Sequence, residues 1–146
     1  MNQALGVITG VADAVNAFLV LVTAISLLVG GVNIMNIMYV AVRERTREIG
    51  LRKAIGAKPR RILMQFLIEA SLISFAGGVI GLIVGSVIAV FVTLLARHFG
   101  LTWHFLLSLP AIAVSLIVSA GLGLGFGVGP AMTAARLDPI DALRYE

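Results

Sequence analysis

Residues 70–96 read ASLISFAGGVIGLIVGSVIAVFVTLLA, a stretch with no charged side chain between Glu69 and Arg97. A bilayer core about 30 Å thick is crossed by roughly 20 apolar residues, because an α-helix rises about 1.5 Å per residue. In hydrocarbon a helix pairs its own backbone groups, so the many Val and Ile residues do not argue for a strand. The stretch therefore predicts a membrane-spanning helix at Ala70–Ala96.

Two further stretches have the same character. Residues 14–42 and residues 98–135 contain no Asp, Glu, Lys or Arg, and we predict membrane-spanning helices at Phe18–Val42 and Ala111–Gly129. Apolar residues make up 60% of the chain and charged residues 12%, against about 45–50% and about 25% in soluble domains. The predicted fold class is therefore all-α, an integral membrane bundle of three transmembrane helices.

Basic residues are concentrated in one place. Eight of the eleven Lys and Arg residues fall between Arg43 and Arg61, and loops rich in such residues stay on the cytoplasmic side of the membrane. We therefore predict that residues 43–69 and the tail 136–146 are cytoplasmic, and that the N-terminus and the loop with Trp103 lie outside. This local cluster favours membrane lipid or a partner protein as its contact. It argues against nucleic acid, which needs a basic face on a soluble surface.

Residues 1–17 predict a helical lead-in on the outer side of the first span. Their apolar residues recur at helical spacing: Leu5, Ile8, Ala12 and Val15. The segment has no basic region of the kind that opens a signal peptide. Since an outward N-terminus is normally delivered by a preceding segment, we expect this chain to be part of a longer membrane protein.

Catalytic and metal-binding patterns are missing from the sequence. There are no cysteines, and the two histidines, His98 and His104, are too few for a typical zinc site. A phosphate-binding loop needs G-x-x-x-x-G-K-[ST], whereas five residues separate Gly50 from Gly56 and Ala57 precedes Lys58. We therefore predict no enzyme activity, cofactor or metal on this chain itself.

Small residues line faces of the predicted spans. A small residue every fourth position lets two membrane helices approach closely, and small polar residues at such faces form interhelical hydrogen bonds. The pattern predicts either packing within the bundle or, at the asparagine, a seam between two copies. The predicted packing residues are Gly30, Asn33, Gly77, Gly81, Gly85, Gly121 and Gly125.

The cytoplasmic segment reads as a polar helix that continues from the first span. Gly56-Ala57-Lys58-Pro59 should end it, and Pro59 suits the first position of the next helix. Glu48 and Arg52 stand at a favourable i, i+4 spacing. Charge order alone leaves two interpretations open: a basic loop that only fixes the topology, or a short surface helix that docks on a cytoplasmic partner.

Two motifs resemble a known family. The segment 33–69, NIMNIMYVAVRERTREIGLRKAIGAKPRRILMQFLIE, and above all residues 43–57, RERTREIGLRKAIGA, resemble the region between the second and third spans of MacB/FtsX-type ABC permeases. The ending 130–146, PAMTAARLDPIDALRYE, resembles the end of the same family. The resemblance covers essentially the whole chain and is nearer to the MacB-like members. The family's first span and its large outer domain have no counterpart in this sequence.

The resemblance implies a role in the bacterial inner membrane as the permease of an ABC-type export or mechanotransmission complex. ATP and Mg²⁺ would be bound by a partner ATP-binding subunit or domain, which contacts the cytoplasmic helix between the spans. The permease would form a dimer, and the resemblance leaves open whether a periplasmic adaptor and an outer-membrane channel join it. The implied ATPase-coupling residues are Arg43, Glu44, Arg47, Glu48, Gly50, Arg52, Lys53, Ala54, Gly56 and Ala57, and the implied C-terminal cytoplasmic motif is Asp138, Pro139, Ala142, Leu143 and Arg144.

Three functions follow as alternatives. The first is ATP-driven export of drugs, peptides or lipids, with the work done at the outer face. The second is an FtsX-like regulator that controls cell-wall enzymes and exports nothing. The third is an inert membrane fragment, since the sequence alone does not show whether the chain acts by itself.

Overall fold

The three apolar stretches form three long helices. The computed structural model describes residues 2–100 and 108–144, with the side chains of residues 6–100 and 108–142; Trp103 and His104 lie outside this part. The helices of the described chain are α1 (Asn2–Glu44), α2 (Thr46–Ala54), α3 (Pro59–His98), α4 (Leu109–Arg136) and α5 (Pro139–Arg144). Helices α1, α3 and α4 are long and apolar enough to cross a membrane. The predicted all-α class with three membrane-spanning helices is confirmed.

Helix α1 is longer than a membrane crossing requires. Its 43 residues extend over about 65 Å at the usual helical rise, about twice the thickness of a bilayer core. The predicted lead-in and the predicted first span are therefore one uninterrupted helix. Every residue from 6 to 30 is exposed, and Gly31 is the first buried residue among those whose side chains the structure describes, so the first half of α1 contributes nothing to the buried core.

The polar continuation of the first span is interrupted, which corrects the prediction of one continuous helix. Helix α1 ends at Glu44, and α2 begins one residue later, after Arg45. The Arg45 guanidinium lies 3.2 Å from the Glu69 carboxylate on α3. Ile49 of α2 lies in the core, where it is 3% exposed. The next break, between α2 and α3, was predicted correctly. Helix α2 ends at Ala54, and α3 begins at Pro59.

The buried core lies at the end of the bundle where α2 and α5 sit. It joins α1, α2, α3 and α4 through one cluster of apolar side chains: Met38, Val42, Ile49, Ile62, Phe66, Ala70, Ala131 and Ala134. The apolar residues of the spans beyond it are mostly exposed, as expected where lipid replaces protein as the surroundings. The apolar core of the described chain is therefore confined to one end of the bundle.

Helices α3 and α4 are held by a reciprocal pair of serine hydrogen bonds. The Ser74 hydroxyl donates to the Ser119 carbonyl oxygen at 2.5 Å, and the Ser119 hydroxyl donates to the Ser74 carbonyl oxygen at 2.6 Å. Interhelical bonds of this kind contribute about 0.6 kcal/mol each in a bilayer. They require a close approach, which Gly78 and Gly123 provide: a Cβ on either glycine would overlap the facing helix.

Candidate functional site

The inner face of α2 is packed against the rest of the chain. Ile49 belongs to the core, and Gly50 faces α5 so closely that an added Cβ would lie 2.6 Å from the Cβ of Ala142. Ala142 itself is only 2% exposed. A larger residue at position 50 would push α5 away, so the glycine allows these two short helices to lie against each other.

Lys53 ties α2 to the end of α4. Its ammonium group donates to the carbonyl oxygen of Ala135 at 2.8 Å and to that of Leu137 at 2.5 Å. The last carbonyl groups of a helix have no partner within the helix and carry partial negative charge, so a cation there is favourable. Lys53, which lies on α2, thus supplies hydrogen bonds to carbonyl groups that have no helical partner at the end of α4.

The end of α2 is fixed by its backbone. The Ala57 N–H donates to the Arg52 carbonyl at 2.9 Å, and the Gly56 N–H donates to the Lys53 carbonyl at 3.0 Å. This pair of bonds is the Schellman pattern, which places its penultimate residue in the left-handed region. Gly56 has φ of 98°, a conformation that costs other L-residues about 1–2 kcal/mol.

The C-terminal motif forms the short helix α5. The Asp138 carboxylate accepts a hydrogen bond from the Ile140 N–H at 2.8 Å, and Pro139 occupies the first helical position. Both features favour a helix start. The structure does not describe the side chains of Leu143 and Arg144. Asp138, Pro139 and Ala142 therefore act together to build the helix that packs on Gly50.

The opposite face of α2 is exposed. It combines two charged side chains with apolar ones: Leu51 is 55% exposed and Ile55 is 80% exposed. We use the term outer face of α2 for these five residues: Arg47, Glu48, Leu51, Ala54 and Ile55. Two surface grooves flank it, with volumes of about 510 and 370 Å³. An apolar patch rimmed by polar groups is typical of a protein–protein contact.

Two ion pairs brace this segment. Glu48 pairs with Arg52, as the i, i+4 spacing predicted, and Arg52 also donates to the Gln65 side chain on α3 at 2.9 Å. The second pair joins Arg45 and Glu69. Exposed ion pairs contribute about 0–1 kcal/mol, so they adjust the position of α2 while the buried core holds it.

The predicted coupling residues therefore divide into two groups. Gly50, Lys53 and, at the edge, Arg52 and Ala57 contact the rest of the chain, whereas the others face solvent: Arg43, Glu44, Arg47, Glu48, Ala54 and Gly56. The sequence prediction missed Leu51 on the outer face. Its spacing of four from both Arg47 and Ile55 is the signal that places the three side chains on one side of a helix.

At the predicted packing glycines, an added Cβ would meet no neighbouring helix in the described part of the chain. Gly30, Gly77, Gly81, Gly85, Gly121 and Gly125 have nothing near an added Cβ, and Asn33 is exposed. The close contacts fall on Gly31, which faces the Phe126 ring, and on Gly78, Gly123 and Gly127. The small-residue pattern is present on two neighbouring faces of each helix, and tertiary contacts such as the serine pair select one of them. Packing of the predicted face against a second copy stays a prediction.

Comparison with known proteins places this arrangement in a family. The model of the FtsX-like permease C-terminal domain matches residues 20–139. The chain belongs to this family. The match runs from the first span to the start of α5 and so includes α2 and all its contacts with the spans. This FtsX-like permease domain is accordingly a multi-pass membrane unit of the ABC transporter type.

Curated relatives extend the similarity to the whole chain. The macrolide export ATP-binding/permease protein MacB of Syntrophobacter fumaroxidans is 51% identical over 146 residues, which is all of this chain and 20% of that protein. MacB of Rhodopirellula baltica is 49% identical over 96% of the chain and 20% of its own length. MacB of Salmonella paratyphi A is 47% identical over 88% of the chain and 19% of its own length. The chain spans about a fifth of the length of these relatives.

Proposed function

We propose that this FtsX-like permease domain receives movement from an ATP-binding partner and passes it through the membrane to drive export at the outer face. The partner contacts the outer face of α2, and the domain acts as a pair of copies. ATP and Mg²⁺ are held by that partner. The similarity to MacB supports this proposal, because those relatives carry the words ATP-binding, permease and macrolide export in their names.

The observation that carries the proposal is the division of α2 into two faces. One face is locked to the ends of the spans by Ile49, Gly50 and Lys53. The other face exposes Leu51 and Ile55 between charged residues. A helix built in this way can be pushed from outside and cannot shift without moving the helices behind it.

The charge distribution supports a cytoplasmic position for α2. The segment from Arg43 to Arg61 carries most of the basic residues of the chain, which places it inside by the positive-inside rule. The outer half of α1 then lies on the opposite side. Since residues 6–30 are all exposed in this chain, we expect that half of α1 to change its angle when the tied end moves.

Transmission of movement from α2 to the spans fits this design better than a passive membrane anchor. A passive anchor needs neither a glycine at position 50 that admits α5 nor a lysine that caps α4. We therefore place the work of the complex at the outer end of the helices, with α2 as the input.

A charge on the outer face of α2 tests the partner contact. Ile55→Glu, made in the natural protein, is expected to abolish co-purification of the ATP-binding partner in mild detergent, because it puts a carboxylate into an apolar contact. The matched control is Phe99→Glu, since Phe99 at the far end of α3 is 75% exposed and Ile55 is 80% exposed. Equal recovery of the partner with both variants would contradict the proposal; where partner and permease are one polypeptide, the ATPase rate replaces recovery as the readout.

A further inference from the structure

A groove separates the first turn of α3 from the last turn of α4. Its volume is about 310 Å³, and it is lined by Pro59, Arg60, Leu63, Met132, Ala135 and Arg136. It is distinct from the two grooves that flank the outer face of α2. Because α3 begins and α4 ends here, the groove lies at the end of the bundle that is predicted to face the cytoplasm.

The groove combines an apolar floor with two cations. Leu63 and Met132 come from facing helices and supply most of its apolar lining together with Pro59 and Ala135. Arg60 and Arg136 lie on different helices, and both are exposed. The ion pairs among the described residues, Arg45–Glu69 and Arg52–Glu48, involve neither of them.

We propose that this groove binds one anionic phospholipid. The upper part of an acyl chain packs on Leu63 and Met132, and the phosphate lies between the guanidinium groups of Arg60 and Arg136. Guanidinium groups bind phosphate oxygens through charge-assisted hydrogen bonds. Basic pockets between membrane helices on the cytoplasmic side are suited to anionic headgroups for the same reason.

The chemistry favours a lipid over a segment of a partner protein. The apolar lining belongs to the terminal turns of the two helices that lead into the predicted spans Ala70–Ala96 and Ala111–Gly129. The charged residues are all cationic, whereas the outer face of α2 mixes both signs and borders other grooves. A volume near 300 Å³ is at the lower end of ligand pockets, which fits part of one acyl chain next to its headgroup.

The site adjoins the contact that joins α2 to α4. Ala135 lines the groove, and its carbonyl oxygen accepts the hydrogen bond from Lys53. A lipid held by Arg60 and Arg136 would bridge α3 and α4 at this point. The proposal stands on the groove and its charges and does not rest on the function proposed above.

The test compares two double variants that remove the same charge. The natural protein is purified, delipidated and titrated with phosphatidylglycerol or with phosphatidylcholine of identical acyl chains, and bound lipid is counted by native mass spectrometry. Arg60→Gln with Arg136→Gln should weaken phosphatidylglycerol binding roughly 30-fold, since each juxtamembrane cation contributes about fivefold. Lys58→Gln with Arg61→Gln is the control, because both residues are exposed and neither lines this groove.

A third variant tests the apolar floor. Met132→Trp fills the groove without changing charge, and it should lower binding of both lipids. Three results would overturn the proposal: equal binding of both lipids to the unmodified protein, equal losses in the two double variants, or full lipid binding after Arg60 and Arg136 are replaced. If the double variant at Arg60 and Arg136 kept its lipid but lost the ATP-binding partner, the groove would be a protein contact. The transmission proposal would then still stand.

Discussion

At the scale of single residues, Lys53 has the most specific contact in the chain. It lies on the helix proposed to receive movement, and its ammonium group binds two carbonyl oxygens at the end of α4. Gly50 adds a steric fit to Ala142 on the same face. A residue can thus matter for coupling without touching the partner, because it decides whether α2 and α4 move together.

Replacing Lys53 by Met tests this contact. Hydrogen bonds to charged groups contribute about 1.5–3 kcal/mol, and partial exposure lowers this, so we expect a loss of about 1–2 kcal/mol in the free energy of unfolding. The ATP-binding partner should still bind, while export per ATP hydrolysed should fall. Lys58→Met is the control, since Lys58 is exposed and, in the described part of the chain, the α4 carbonyl group is bound by Lys53 instead. Normal coupling in Lys53→Met would show that the contact transmits nothing.

Gly56 gives a second test at this scale. Its φ of 98° disfavours any residue with a Cβ, so Gly56→Ala should cost about 1–2 kcal/mol, measured by thermal unfolding in detergent. Gly56→Asn should cost less, because Asn tolerates the left-handed region. Gly30→Ala is the control, as a Cβ there meets no atom within 4 Å. If all three variants unfolded alike, the end of α2 would not be held as described.

At the scale of helices, the sequence predicts the spans well and their contacts poorly. Long uncharged stretches predicted α1, α3 and α4, and Gly56 to Pro59 predicted the start of α3. The turn at Arg45 was missed, because it depends on Glu69 and on burial of Ile49, both distant in sequence. Helix α5 was not predicted either, since six residues become helical mainly through packing on α2.

The choice between glycine faces is a further limit of the sequence. Gly121 and Gly125 repeat every four residues just as Gly123 and Gly127 do, so spacing favours neither pair. The facing helix decides: Gly123 lies against the Ala70 carbonyl and Ser74, whereas Gly121 has nothing near it. Predictions about which small residues pack therefore need the rotation of each helix, which local sequence does not contain.

This difference between faces is measurable. Gly123→Ala would put a Cβ 2.6 Å from the Ala70 carbonyl oxygen, and overpacking of this kind costs about 1–3 kcal/mol. Gly121→Ala should leave the free energy of unfolding of one copy nearly unchanged. Thermal unfolding in detergent compares the two, and a size measurement shows whether Gly121→Ala separates a dimer. Equal destabilisation of single copies would mean that α3 and α4 do not meet on the described face.

At the scale of the whole molecule, the chain is a bundle tied at one end. Its buried core joins α1, α2, α3 and α4, and α5 packs on α2 through Ala142. Residues 6–30 of α1, which precede Gly31, include no buried residue. Under the function proposed above, the end with the buried core receives the movement, and the spacing of the helices changes at the outer end.

The most direct test of transmission is a pair of distance measurements by double electron–electron resonance. The natural protein, with other cysteines removed, is spin-labelled at two exposed pairs of positions, 58 with 133 and 11 with 114, diluted with unlabelled copies, and studied with and without ATP. We predict that the distance from Lys58, which follows α2 and lies outside its outer face, to Thr133 on α4 stays the same, while the distance from Val11 on α1 to Val114 on α4 changes. A nucleotide-dependent change between Lys58 and Thr133 with no change at the outer pair would contradict the account.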